Sequence, residues 1–244
     1  MIKNYSESSY GESVAEVYDQ WYEGFEPETI STLVELAQGG RVLELGIGTG
    51  RIAIPLYQAG IEVHGIDASP AMIAKLRAKP GGSNIQVTLG NFADVAVEGQ
   101  FNLIFVVINT FFALPNQAEQ VRCFTNVSNL LSQNGVFLIE AFVPNMARFD
   151  DNQTVRVFAL EDNGCSLEAS QIDPIEQQIN MQLIQMTNDG LRMYPLKIRY
   201  AWPSELDLMA KIAGLELRHR WGSWSRRELT DQDSKHISVY GFPD

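Results

Sequence analysis

A doubly wound α/β fold with a parallel sheet is predicted by three features of the chain. Short aliphatic runs alternate with helix-periodic segments four times within the first 140 residues. The first run, Val42-Leu-Glu-Leu45, breaks into glycines at alternate positions, Gly46, Gly48 and Gly50, just before an apolar-periodic stretch on Ile52, Ile54, Leu56 and Ala59. Phe101 to Ile108 is an apolar run, the pattern of a central strand covered on both faces. Strands and helices succeeding one another in this way form a parallel sheet flanked by helices.

The elements follow in order. Pro27 opens a helix whose Ile30, Leu33, Val34 and Ala37 share a face, and Gly39-Gly40 stops it. After the glycine-rich strand and its helix, Ile61 to Ile66 is a second strand ending in Asp67. Ser69-Pro70 starts a helix to about Lys79, with Ser69 as N-cap and Pro70 at the first helical position. Ile85 to Leu89 is the third strand, Phe101 to Ile108 the fourth, and Val136 to Phe142 the fifth; Asn116 with Glu119 caps a helix running to about Ser132. The pattern then changes. Residues 154–160, 166–173, 177–187 and 191–201 read as strands, with Asp-Asn-Gly (162–164) and Asn-Asp-Gly (188–190) as hairpin signals. Ser204 and Asp207 are expected to cap a helix to Ala213, and 215–221 and 236–242 to form a last strand pair. The organisation expected is an N-terminal helical lid at 1–40, a Rossmann-like core at 41–149 and 203–244, and an antiparallel cap at 150–202.

The glycine loop carries the chemistry. A strand turning into a helix over side-chain-free backbone lies against a nucleotide-like ligand. Asp67, twenty-one positions after Gly46, sits at the tip of the next strand, where a carboxylate can accept from both ribose hydroxyls. Dinucleotide folds use Gly-x-Gly-x-x-Gly, with the helix N-terminus facing a pyrophosphate. Here Arg51 stands three after Gly48, and Glu44 precedes the first glycine by two. A nicotinamide cofactor is disfavoured by that spacing.

Gly46-Ile-Gly48-Thr-Gly50, Asp67, Gly90-Asn91-Phe92, Asn109-Thr110-Phe111-Phe112 and Asn134-Gly135 together resemble the seven-stranded class I S-adenosylmethionine (SAM) methyltransferases across about 42–150. Trp202-Pro-Ser-Glu-Leu206 and Met209 to Leu215 are similar to that family's last helix and sixth strand. The antiparallel insertion looks like that of N-methyltransferases acting on amino sugars, glycine and peptide amino termini, and the Asn109-Thr-Phe-Phe112 stretch with the C-terminal segment looks most like the cypemycin-type N-terminal methyltransferases. The resemblance implies a seven-stranded Rossmann-like methyltransferase fold with a β cap. It also implies SAM as cofactor, S-adenosylhomocysteine as product, and cofactor contacts from Tyr10, Tyr18, Tyr22, Glu44, Gly46, Gly48, Thr49, Arg51, Asp67, Ala68, Met72, Asn91, Phe92 and Asn109. Asn91 stands where the family often has Asp; its amide oxygen can accept the same adenine hydrogen bond.

Methyl transfer is an in-line displacement in which the protein mainly aligns donor and acceptor. An amine acceptor must arrive neutral or give up its proton. Glu140, ending the fifth strand, is the leading candidate for proton acceptor or amine anchor, and Asn109, His236 and Tyr18 are the others. Tyr10, Tyr18, Trp21 and Tyr22 read either as helix docking or as a lid over methionine and acceptor. The expected function is transfer of a methyl group to a small-molecule or peptide amine. O-methylation of a hydroxyl or carboxylate, or SAM binding without turnover, are the alternatives.

Composition narrows the partners. Thirty acidic against 18 basic residues, a net charge of −12, disfavour nucleic acid and anionic membrane. Cys123, Cys165 and three scattered histidines have no metal-ligand spacing, so no metal is expected. No signal-like or bilayer-length apolar run is seen, which predicts a cytoplasmic protein with a small molecule or short peptide as partner; a homodimer is compatible with the sequence.

Overall fold

The computed structural model describes residues 4–22 and 24–243, so Met1–Lys3 and Glu23 of the expected lid, and Asp244, lie outside the described residues. Two short helices, α1 (Ser9–Val14) and α2 (Tyr18–Trp21), precede α3 (Glu28–Ala37). The core then runs β1 (Val42–Leu45), α4 (Ala53–Gln58), β2 (Val63–Asp67), α5 (Pro70–Ala78), β3 (Gln86–Leu89), β4 (Phe101–Val106), α6 (Gln117–Leu130) and β5 (Leu131–Phe142). Four strands follow, β6 (Gln153–Glu161), β7 (Gly164–Asp173), β8 (Gln178–Thr187) and β9 (Gly190–Arg199). α7 (Pro203–Ile212), β10 (Glu216–Trp221) and β11 (Lys235–Gly241) complete the chain.

Seven strands form one sheet in the order β10-β11-β5-β4-β1-β2-β3. The first five in sequence are parallel, and β11 runs antiparallel to both β5 and β10. Alternation along β4 shows how both faces are covered. Ile104 and Val106 join α6 (Phe124, Val127) and α7 (Leu206, Met209) on one side. Leu103 and Phe105 join α3 (Leu33, Ala37), α4 (Leu56) and Leu76 of α5 on the other.

The second sheet is antiparallel, ordered β6-β7-β8-β9. Its hairpin registers close as Glu161↔Gly164 and Thr187↔Gly190, so both expected hairpins form, through the two-residue turns Asp162-Asn163 and Asn188-Asp189, with each glycine opening the next strand. Ile172, Ile179, Met181 and Ile198 of its inner face enter the main core, while Leu183 and Tyr194 meet Val14, Val17 and Met72. The N-terminal helices are thus wedged between the two sheets.

Two local expectations need correction. α7 has Trp202 as N-cap and Pro203 at its first position, with no side-chain cap. Ser204 is therefore already inside the helix, and Asp207 accepts from Arg220 and from the Tyr240 hydroxyl instead. β5 starts at Leu131 rather than Val136, because Leu131 already pairs with Phe101 across a register shift. The Asn116 and Ser69 caps form as expected, accepting from Glu119 N at 2.9 Å and Met72 N at 3.2 Å. No helix among the described residues is long and apolar enough to cross a membrane.

Arg199, only 5% exposed, fastens the second sheet to the first. It donates to Gln120 Oε1 on α6 (2.5 Å), Gln177 Oε1 in the β7–β8 turn (2.7 Å) and Glu205 Oε1 on α7 (2.7 Å). Removing one member of a buried, hydrogen-bonded ion pair strands the other. Arg199→Ala should lower the unfolding free energy by about 3 kcal/mol in a urea titration, whereas a loss below about 1 kcal/mol would mean that apolar packing alone holds the second sheet.

Candidate active site

The site is built where β1 ends. Gly46, Gly48 and Gly50 have φ of +73°, +54° and +76°, a backbone region open to glycine and strained for other residues. The turn is tied to β2: Gly46 N and Ile47 N both donate to Ile66 O, at 2.8 and 3.0 Å. Asp67 then accepts from Gly48 N (Oδ2, 2.7 Å) and Ser69 N (Oδ1, 2.8 Å), so the carboxylate braces both ends of the crevice. Burial raises its pKa, with those backbone bonds working in the opposite direction. A Cβ built on Gly48 would meet nothing nearer than Gly46 O at 4.0 Å, so the loop faces open space there. One on Gly46 would lie 2.4 Å from Thr110 Cγ2.

A small, partly open cavity of about 20 Å³ lies against this loop, lined by Tyr18, Glu44, Gly46, Ile47, Thr49, Arg51, Ile52, Val107, Ile108 and Thr110. Two buried polar atoms among its lining residues have no partner, Glu44 Oε2 and Arg51 Nε. Burial pushes the Glu44 carboxyl well above the usual carboxylate range, and nearby Arg51 only partly offsets this.

The N-terminal helices close over the loop through polar contacts that the sequence reading missed. Asp19 accepts from Thr49 Oγ1 (2.6 Å) and pairs with Lys79 (2.7 Å). Glu12 accepts from Ser69 Oγ (2.7 Å) and Ala71 N (3.0 Å), and Arg51 donates to the carbonyls of Tyr22 (3.0 Å) and Gly24. No sequence spacing announces these pairs, since their members lie 27 to 60 residues apart. The Tyr10 and Tyr22 hydroxyls are 3.3 Å apart, and the Tyr18 and Tyr22 rings 4.8 Å. Burial raises the pKa of Tyr10 and Tyr18, keeping both phenols neutral. Trp21 stands edge-on to Tyr194 of the second sheet at 4.7 Å.

The other expected residues fall around the same crevice or beside it. Ala68 follows Asp67, and Met72 is buried in the first turns of α5. Asn91 Oδ1 accepts from Ala93 N (2.8 Å), and Phe92 packs into the core below Gly46. Asn109 is exposed and left-handed, and its Oδ1 accepts from Phe142 N at 2.7 Å.

Glu140 is 8% exposed and its oxygens are taken. Oε1 accepts from Trp224 Nε1 (3.2 Å) and Lys235 Nζ (2.8 Å), and Oε2 from Ile108 N (3.2 Å). Lys235 also bonds Glu26, and these bonds raise its pKa against the effect of burial. His236 pairs with Ala141 on the sheet face opposite Glu140 and is fully buried. Its Nδ1 is 2.8 Å from Ser238 Oγ, which accepts from Arg220, so the hydroxyl proton is free for Nδ1 and the ring proton falls to the unpartnered Nε2. Burial, with help from Arg220, pushes its pKa down to about 4. Among the described residues no cluster of His, Cys, Asp or Glu could hold a metal ion.

The comparisons with known proteins agree with this geometry. Residues 42–135 match the model of a methyltransferase domain. The cypemycin N-terminal methyltransferase of a Streptomyces species is 25% identical over 202 residues, 82% of each chain. The CcbJ methyltransferase from Streptomyces caelestis superimposes with a TM-score of 0.92 at 38% identity, over 98% of this chain and 100% of that one. The chain is a class I SAM-dependent methyltransferase. The sugar N-methyltransferase KedS8 from a Streptoalloteichus species shares the methyltransferase's fold over the full length of both chains, with a TM-score of 0.68 and 18% identity.

Two measurements test this site. Asp67→Ala should weaken SAM binding by about 1.5–3 kcal/mol in a calorimetric titration, because a charge-assisted acceptor is lost. An unchanged affinity would place the ribose elsewhere. His236 stays neutral in the folded protein while an unfolded chain binds a proton below pH 6.5. Its contribution is therefore fully present above pH 6.5 and lost as pH falls towards 4, by up to about 3 kcal/mol. His236→Asn should flatten that part of the stability–pH curve; an unchanged slope would contradict the assignment.

Proposed function

We propose that this methyltransferase N-methylates an amine on a small molecule or short peptide, using the glycine loop and its surroundings to hold SAM. The residues fit such a ligand in chemistry as well as shape. SAM's amino-acid end carries an ammonium and a carboxylate, and the cavity offers an unpartnered carboxylate oxygen of Glu44 beside an unpartnered N–H of Arg51. Asp67 would hold the ribose, Asn91 and Phe92 the adenine, and Gly46 to Thr49 the backbone-facing side, with Ala68 and Met72 alongside. The cavity is far smaller than a nucleoside, so Tyr10, Tyr18 and Tyr22 would lift with α1 and α2 and close again as a lid.

When bound, SAM supplies a methyl group already activated as a sulfonium. The protein's own task is then alignment of the acceptor and exclusion of water. The observation that carries the amine reading is the state of the two candidate bases. Glu140 is engaged by three donors, and His236 is buried with a depressed pKa. A hydroxyl acceptor needs a strong base within reach, whereas an amine can shed its proton to solvent before binding. The neutral phenols of Tyr10 and Tyr18, with the Tyr22 ring beside them, add π faces and O–H groups suited to an amine and its cationic product. The names of the cypemycin N-terminal methyltransferase and the sugar N-methyltransferase KedS8 support the same reading.

A matched panel of peptides with free α-amino groups, amino sugars, and their hydroxyl and carboxyl analogues tests it by S-adenosylhomocysteine release. Turnover is expected with amines alone. Its rate should rise about tenfold per pH unit until the amine's own pKa is reached, as deprotonation precedes binding. Turnover confined to hydroxyl or carboxyl acceptors would overturn the proposal.

A further inference from the structure

Directly after β4 the chain does something costly. Ile108 and Asn109 both take left-handed backbone angles, φ +55° and +63°, and Ile108 is β-branched. Such residues are strained there and persist only where their surroundings hold them. The turn they make brings Val107, Ile108 and Thr110 to the cavity wall and seats the Thr110 methyl on the site of Gly46's missing side chain.

We propose that Glu140 is a positioning residue that holds this strained turn against the glycine loop, and so sets the wall beside the methyl donor. The geometry is specific. Glu140 Oε2 accepts from Ile108 N, and its main-chain oxygen accepts from Asn109 N, at 3.2 Å each. One residue thus satisfies both consecutive amides of the left-handed pair. Two residues further along β5, Phe142 N donates to Asn109 Oδ1, locking the turn from its side-chain end. Glu140's other oxygen is anchored by Trp224 Nε1 and Lys235 Nζ. Those anchors lead to the segment before α3, because Glu26 binds Lys235 and accepts from Trp224 N, and Thr32 donates to Trp224 O. The charged groups that meet the carboxylate directly or through Lys235 are therefore Lys235 on β11 and Glu26 before α3. Without Glu140, a half-buried amide on a β-branched left-handed residue would lose its partner. This role takes SAM dependence from the family and is independent of the acceptor's class.

Glu140→Gln keeps size and removes charge. Its NH₂ must face either the Ile108 N–H or the Lys235–Trp224 donors, so one side of the brace fails. Three readouts are expected. The Ile108 amide exchanges with deuterium at least roughly tenfold faster, while amides within β4 are unchanged. Affinity for S-adenosylhomocysteine, measured by calorimetry, falls roughly tenfold. The loss in kcat is the same from pH 6 to 9, with KM for an amine acceptor unmoved. Glu140→Asp, which keeps the charge but shortens the reach, should behave like Glu140→Gln, and it serves if the amide variant does not fold. Unchanged Ile108 exchange and cofactor affinity, with a defect confined to acceptor KM or recovering at high pH, would overturn the proposal and make Glu140 an acceptor-contacting residue. Failure of the amine panel would leave the Ile108 exchange and cofactor-affinity readouts untouched, so the two readings fail separately.

Discussion

A glycine amide donating to a carboxylate nineteen residues away is the contact on which the rest of the site depends. Gly48 can present that amide only because its φ is +54° and it has no side chain. Asp67 can receive it because β1 and β2 are parallel and in register, Leu45 beside Ile66, so both strands end at the same level. Parallel pairing thus places a loop and an acid together that chain distance alone would not. The N-terminal helices and the turn after β4 then settle on that loop from above and from the side.

Two glutamates near the carboxyl ends of the strands that flank β4 show how surroundings decide the work of a side chain. Glu44, in β1, is buried with one oxygen unpartnered, and burial raises its pKa. Glu140, in β5, is nearly as buried, but three donors from three parts of the chain occupy it. The first fits a binding group and the second a brace. A strained turn at the carboxyl end of a central strand needs such a brace, because each left-handed residue of this kind costs about 1–3 kcal/mol.

What could be read from the sequence was what short-range chemistry encodes. The three glycines, the Ser69-Pro70 start, the Asn116 cap and the two hairpin turns each specify backbone angles within a few residues, and each forms as expected. Asp67 was legible because a strand–helix–strand unit has a nearly fixed length. Ser204 and Asp207 misled because a proline at the first helical position starts α7 two residues earlier, freeing Asp207 for Arg220. The state of Glu140 was out of reach: its partners Ile108, Trp224 and Lys235 lie 32, 84 and 95 residues away, and no local pattern joins them. The same distance hid Asp19 and Lys79 from the reading of the lid.

The central claim is that SAM lies against the side-chain-free backbone at Gly48. Calorimetric titration of SAM into Gly48→Val tests it most directly, because the first carbon of the added side chain enters open space, 4.0 Å from the nearest atom, and the cost of its left-handed backbone is read separately in the melting curve. The account predicts a protein that melts cooperatively, with circular dichroism like the parent's, and shows no measurable heat with SAM. A folded Gly48→Val protein that binds SAM as tightly as the parent would contradict it.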